Sequence, residues 1–140
     1  MKVFIASDHA GFELKQFLLD NCQQIDFVDL GTDSQDSVDY PDYAHALSKA
    51  IKDDEAKGIL LCGSGVGMSI AANRHSHIRA ALVHNQEIAK LSKEHNNSNV
   101  LALGARFIEP ESAKEIIELW LKTDFAGDRH QRRVEKINKC

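Results

Sequence analysis

The residues best equipped for chemistry lie in the segment Gly58-Ile59-Leu60-Leu61-Cys62-Gly63-Ser64-Gly65-Val66-Gly67-Met68-Ser69-Ile70-Ala71-Ala72. A short apolar run ends at a cysteine, glycines follow at alternate positions, and a helix-like stretch begins. A strand, a bare-backbone loop and a helix start in that order make a cradle for an anion, because the loop amides and the first free N–H groups of the helix converge. The same positive environment favours a thiolate over a thiol. The segment therefore predicts a reactive sulfur, Cys62, beside a place where negative charge can develop. The glycines do not match other phosphate motifs. Met68-Ser69 stands where a Walker loop needs lysine, and no acidic ribose partner follows at the dinucleotide spacing. Taken alone, the glycines also fit a tight strand-to-helix turn that needs bare backbone.

Other candidates are more ambiguous. Asp8-His9 offers a carboxylate and an imidazole to sugar hydroxyls or a phosphate, or simply an aspartate-stabilised turn. Arg129 and Arg133 are spaced to share one helical face, and their planar guanidinium groups suit phosphate. A basic last turn that complements a helix dipole explains them equally well. Cys22 falls on an apolar stripe and Cys140 is the last residue, so both read as incidental. His75 and His77 lack further ligands at metal-site spacing and read as surface residues, with His45 solvated or partnered. No metal is expected.

The elements that must position these residues alternate between short β-rich runs and helical stripes. Strands are predicted at Val3 to Ala6, Ile25 to Leu30, Ile59 to Cys62, Arg79 to Val83 and Val100 to Leu103. Helices follow each: Phe12 to Cys22, a stretch from Pro41 to Ile51, Val66 to about Arg74, one capped by Asn85, and one opened by Pro110. The tail from Asp128 reads as a basic helix. Five βα units predict a Rossmann-like α/β fold: a single domain over residues 1–140, with a five-stranded parallel sheet and helices on both faces. Ligands in such sheets bind beyond the carboxyl ends of the strands. Asp8-His9, Cys62, His84 and Gly104-Ala105-Arg106 all fall there. His95 and Asn96 do not, since they lie at the far end of a helix. Either they are structural or a second subunit brings them to the site.

Composition narrows the partners. With 140 residues and a net charge of −4, the chain is not built for nucleic acid. No apolar stretch is long enough for a membrane span. Met1-Lys2-Val3 runs straight into a strand rather than a signal peptide, and three widely spaced cysteines suit a reducing compartment. A cytoplasmic location is expected.

Ser7-Asp8-His9-Ala10-Gly11, Asp39-Tyr40-Pro41, Cys62 to Gly67 with Ile70-Ala71-Ala72-Asn73, Glu94-His95-Asn96, Asn99 to Arg106 and Gly127 to Arg133 occur in this order along the chain. Together they resemble the RpiB/LacAB sugar-phosphate isomerases over essentially its whole length. The resemblance implies a homodimer or dimer of dimers with shared sites, no cofactor, and aldose–ketose isomerisation of a phosphorylated sugar. The implied reaction is ribose 5-phosphate to ribulose 5-phosphate, with allose 6-phosphate or galactose 6-phosphate as alternative substrates. A non-catalytic phosphate-binding module is the reading from another class, and it would have no need of Cys62. By the same resemblance Cys62 is the catalytic base and His95 the acid that opens the sugar ring. Asp8, His9, Tyr40, Asn96, Arg106, Arg129 and Arg133 contact substrate. Gly63, Ser64, Gly65, Val66 and Gly67 cradle the enediolate. One branch of the family uses a glutamate after the loop as base; Met68 occupies that position here, so the chain resembles the cysteine branch. The basic helix from 128 to 140 is expected to cross to the partner subunit.

Overall fold

The computed structural model describes residues 2–140. Their chain order is β1 (Lys2–Ser7), α1 (Phe12–Asn21), β2 (Asp26–Asp29), α2 (Tyr40–Ala50), β3 (Lys57–Cys62), α3 (Val66–Ala72), β4 (Ala80–Leu82), α4 (Gln86–Asn96), β5 (Val100–Gly104), α5 (Pro110–Lys122) and α6 (Arg129–Glu135). The strands form one parallel sheet in the order β2-β1-β3-β5-β4. This is the predicted architecture, and local signals explain its boundaries. Pro41 and Pro110 occupy first-turn positions, where a missing N–H costs nothing. Asn85 caps α4 by accepting the Ile88 N–H at 2.9 Å. Among the described residues no helix is long and apolar enough to cross a membrane.

The central strands are buried on both faces and their side chains alternate between two cores. Val3, Ile5, Ile59, Leu61, Leu101 and Leu103 pack with α1 and α5 through Leu14, Leu18, Ile116 and Trp120. Ala6, Leu60, Cys62, Val100 and Ala102 pack with α2 and α3 through Ala44, Leu47, Met68 and Ala72. Chain therefore leaves β1 towards one face of the sheet and leaves β3 towards the other. The crevice between those two departures is where parallel sheets bind ligands. Asp8-His9 forms one lip and Cys62-Gly63 the other.

An ion pair with a buried ammonium and a half-exposed carboxylate anchors one wall of this crevice. Lys15 is fully buried in α1; its Nζ donates to Asp29 Oδ1 at 2.7 Å and to the Thr32 carbonyl. Asp29 Oδ1 also accepts the Gly31 N–H at 2.9 Å. Thr32 then pairs with Ser7, Thr32 N–H donating to Ser7 O at 2.9 Å. The loop that leads to α2 is thus fastened beside the end of β1. Removing one partner of such a pair costs more than removing a group that can return to water. Asp29→Ala strands a buried ammonium and should cost about 3 kcal/mol, whereas Lys15→Met leaves only a half-exposed carboxylate and should cost clearly less. Urea unfolding of the two variants checks this, and the reverse order would show that packing of the Lys15 stem, not its charge, is what matters.

Candidate active site

The glycine loop is built by close approaches that a side chain would block. Gly65 has φ +80°, a left-handed backbone, and a Cβ there would lie 2.6 Å from Leu82 Cδ1. A Cβ on Gly104 would lie 2.5 Å from the Ser64 carbonyl oxygen. The tight turn brings the Gly65 N–H onto Cys62 Sγ at 3.1 Å. Cys62 ends β3 with 5% exposure, so its sulfur is largely shielded from water and accepts from a loop amide. Ser64 is exposed, and its Oγ accepts the Val66 N–H at 3.3 Å. The amides of Gly67 and Met68 lie in the first turn of α3, where no helix carbonyl precedes them. The arrangement can hold an anion or develop one beside a sulfur.

Two further predicted residues close around this loop. The Arg106 guanidinium lies where a Cβ of Gly63 would be, 2.9 Å from that position at its nearest atom. Backbone bonds fix it there: Ala105 N–H donates to Cys62 O at 2.8 Å and Arg106 N–H to Gly63 O at 3.0 Å. The Tyr40 ring covers Gly67 in the same way, 2.5 Å from the missing Cβ. Across the crevice, Asp8 is buried and its Oδ1 accepts the Gly11 N–H at 3.1 Å. His9 Nδ1 accepts the Val38 N–H at 3.2 Å, so a neutral His9 carries its proton on Nε2. The segment between β2 and α2 thus orients His9 through Val38 and delivers Tyr40 to the loop. Beyond β4 and β5 a cavity of about 550 Å³ opens between Ser64, Val66, Leu82, His84, Gly104 and Phe107.

The remaining predicted residues form a second group at the opposite edge of the sheet. His95 and Asn96 end α4, the helix that begins at Gln86 just after β4. His95 stacks on His130 of α6 with ring centroids 4.2 Å apart and planes 15° from parallel. The Ala126 N–H donates to Glu94 O at 3.0 Å and ties the approach to α6 onto α4. Arg129 and Arg133, on the same short helix as His130, are exposed. Asp8, His9, Tyr40, Cys62, the loop and Arg106 are therefore brought together, and so are His95, Asn96, Arg129 and Arg133, as two separate groups. Sequence reasoning misses His130, whose only signal is its place in an arginine-rich run. His77 is exposed and His75 partly so, as expected, but each also has a partner. His45 Nδ1 and His75 Nε2 are 2.8 Å apart, and His77 Nε2 lies 2.8 Å from Ser48 O.

Burial, and then the charges of His95, Arg129 and Arg133, hold the His130 imidazole below the ordinary histidine range, with Asp128 opposing them. A histidine lowered in this way binds its proton less well folded than unfolded. Any stability this gives is present above about pH 6.5 and is lost on acidification below it. The NMR titration midpoint of His130 should lie below 6.5 and should rise in Arg133→Ala, which removes a charge that opposes protonation. A midpoint unmoved by that substitution would place Arg133 away from the histidine pair.

Known proteins share this arrangement of elements. Residues 3–137 match the family model described as Ribose/Galactose Isomerase. Ribose-5-phosphate isomerase B of Escherichia coli is 42% identical over 97% of this chain and 93% of its own length. The structure of a ribose 5-phosphate isomerase from Thermotoga maritima superposes with a TM-score of 0.95 at 49% identity, covering 99% of this chain and 98% of that one. The Mycoplasma genitalium ribose-5-phosphate isomerase B, solved with bound ribulose 5-phosphate, superposes with a TM-score of 0.91 at 40% identity, covering 99% and 94%. A match along nearly the whole length, in sequence and in fold, means that this chain belongs to the ribose/galactose isomerase family.

Proposed function

We propose that this chain interconverts ribose 5-phosphate and ribulose 5-phosphate by proton transfer through an enediolate. The observation that carries the reading is Cys62 Sγ, shielded at the end of β3 and turned into a loop of backbone donors. Bound ribulose 5-phosphate in the Mycoplasma genitalium relative supports the choice of sugar. Isomerisation requires removing the C2 proton beside the aldehyde. Cys62 as thiolate takes it and returns it to C1, while the C2 hydroxyl proton passes from O2 to O1, leaving a ketone at C2 and a hydroxyl at C1. The charge that develops on the two oxygens in between is met by the loop amides from Gly63 to Gly67, with Ser64 adding a hydroxyl and Arg106 a cation beside Gly63. Asp8 and His9 face the sugar hydroxyls from the opposite lip, and Tyr40 covers the sugar from above Gly67.

A sugar phosphate is mostly cyclic, so its ring must be opened before C2 chemistry begins. His95 is assigned to deliver a proton to the ring oxygen as its bond to C1 breaks and to recover one from the C1 hydroxyl as the aldehyde forms, with Asn96 on sugar hydroxyls and Arg129 and Arg133 on the phosphate. Within one chain these residues stand at the wrong edge of the sheet. A homodimer with two-fold symmetry would set the second group of one copy over the crevice of the other and make two equivalent sites. Exposed apolar side chains beside the loop support this assembly: Val66 and Ile70 on α3, and Phe107, which is 75% exposed. A base that works as a free thiol also needs a reducing compartment, which supports the cytoplasm as its location.

Purified protein should convert ribose 5-phosphate to ribulose 5-phosphate and should act more slowly on allose 6-phosphate and galactose 6-phosphate. Comparable rates on a six-carbon substrate would contradict the pentose assignment. Cys62→Ala should lower turnover roughly 10²–10⁴-fold or more while the fold persists; a loss of only a few-fold would remove Cys62 from the chemistry. Arg133→Ala should weaken binding of ribose 5-phosphate by about 1.5–3 kcal/mol, read as a raised KM, and leave the weak binding of unphosphorylated ribose unchanged. An equal effect on both sugars would show that Arg133 does not meet the phosphate.

A further inference from the structure

At the amino edge of the sheet, on the far side from the Cys62 crevice, a cavity of about 380 Å³ lies between Lys57, Lys93, Trp120, Thr123 and Asp124. Lys93, on α4, is buried to 9% exposure. Its Nζ sits 5.7 Å from the centre of the Trp120 ring. Its one hydrogen bond to a backbone carbonyl, Ser98 O, is 3.4 Å long, at the weak limit for such a bond. Among the described residues no carboxylate comes within ion-pair distance of Lys93 or Lys57. Lys57 Nζ donates to the Asp54 backbone carbonyl, and Lys57 and Arg79 are the cations whose charge bears on Lys93. A desolvated lysine in a cavity, near a second cation and without a carboxylate partner, is the environment that activates an amine as a nucleophile.

We propose that Lys93 is a nucleophilic amine and that this cavity is a covalent binding site for small carbonyl compounds. The neutral Nζ lone pair attacks the carbonyl carbon and forms the C–N bond while a proton passes from nitrogen to the carbonyl oxygen. Loss of water from that carbinolamine breaks the C–O bond and leaves an imine, with nothing oxidised or reduced. Asp124 and Thr123 line the same cavity and can pass the proton to the departing hydroxyl. The charged groups facing Lys93 are Lys57 from β3, Arg79 from the turn before β4, and Asp124 from the chain after α5, with Asp54 and Glu55 at the rim. Burial, then Lys57 and Arg79, bring Lys93 down to about 8 against the opposing pull of Asp124. About one Lys93 in ten is then neutral at pH 7, against roughly one in three thousand for an ordinary lysine.

The test uses the intact protein with glyoxylate and sodium cyanoborohydride at pH 7, which reduces any imine to a stable adduct that peptide mass mapping locates. Lys93 should be labelled at least about ten-fold faster than the exposed Lys139, and the preference should vanish in urea. Lys57→Met, which removes the neighbouring cation, should slow labelling of Lys93 several-fold. Equal labelling of Lys93 and Lys139 in the folded protein would overturn the proposal. So would a Lys93 rate unchanged by Lys57→Met. The readout is independent of isomerase activity, so its failure would leave the proposed reaction untouched.

Discussion

Parallel strand pairing is the constraint on which this molecule turns. A parallel sheet needs every strand to start at one edge, so each helix carries the chain the full depth of the domain between its two edges. Helix α4 does this over 11 residues, roughly 16 Å at 1.5 Å per residue. It begins beside the carboxyl ends of the strands, where Cys62 and Asp8 stand, and ends at the amino edge with His95 and Asn96. No rotamer spans that depth. The separation of the two residue groups is therefore a property of the topology, and in the proposed reaction it makes a second copy of the chain a chemical requirement.

Within the crevice, precision comes from absent side chains. Gly63 leaves room for the Arg106 guanidinium, Gly67 for the Tyr40 ring, and Gly104 for the Ser64 carbonyl. A donor-rich loop must let other groups approach its backbone closely, and each bare Cα admits one neighbour. The pair Lys15–Asp29 works at longer range. By holding Thr32 beside Ser7 it fixes the start of the segment that carries Val38 to His9 and Tyr40 to Gly67. A buried charge that is satisfied by only two acceptors tolerates little displacement, which suits a support whose task is position.

The strands and helices are readable from the chain because their signals are local. Apolar runs such as Ile59 to Cys62 stop at glycine, and Pro41, Pro110 and Asn85 mark helix starts. The half of the site around Cys62 is readable for the same reason, since strand, cysteine and glycines are contiguous. Strand order is not, because periodicity says that a run is a strand but not which strand lies beside it; the insertion of β5 between β3 and β4 is decided by packing. The His95–His130 stack, the His45–His75 contact and the cavity shared by Lys57 and Lys93 each join residues whose proximity depends on how separate elements dock. Spacing places His75 and His77 at the surface but does not show that α2 brings His45 and the Ser48 carbonyl against their turn. The position of His95 is informative in another way: its misfit with the strand-edge rule is what motivates the proposed two-fold assembly.

The central claim is that each working site takes Cys62 from one copy and His95 from another, and mixing tests it most directly. Cys62→Ala and His95→Ala proteins, each inactive alone, are unfolded together, refolded and shown by mass to contain mixed dimers. A shared site predicts that each mixed dimer holds one site with both residues intact and one with neither, so about a quarter of the native activity should return to the statistical mixture. Verified mixed dimers with no activity above that of the parents would mean that Cys62 and His95 act within a single chain, which contradicts the shared site.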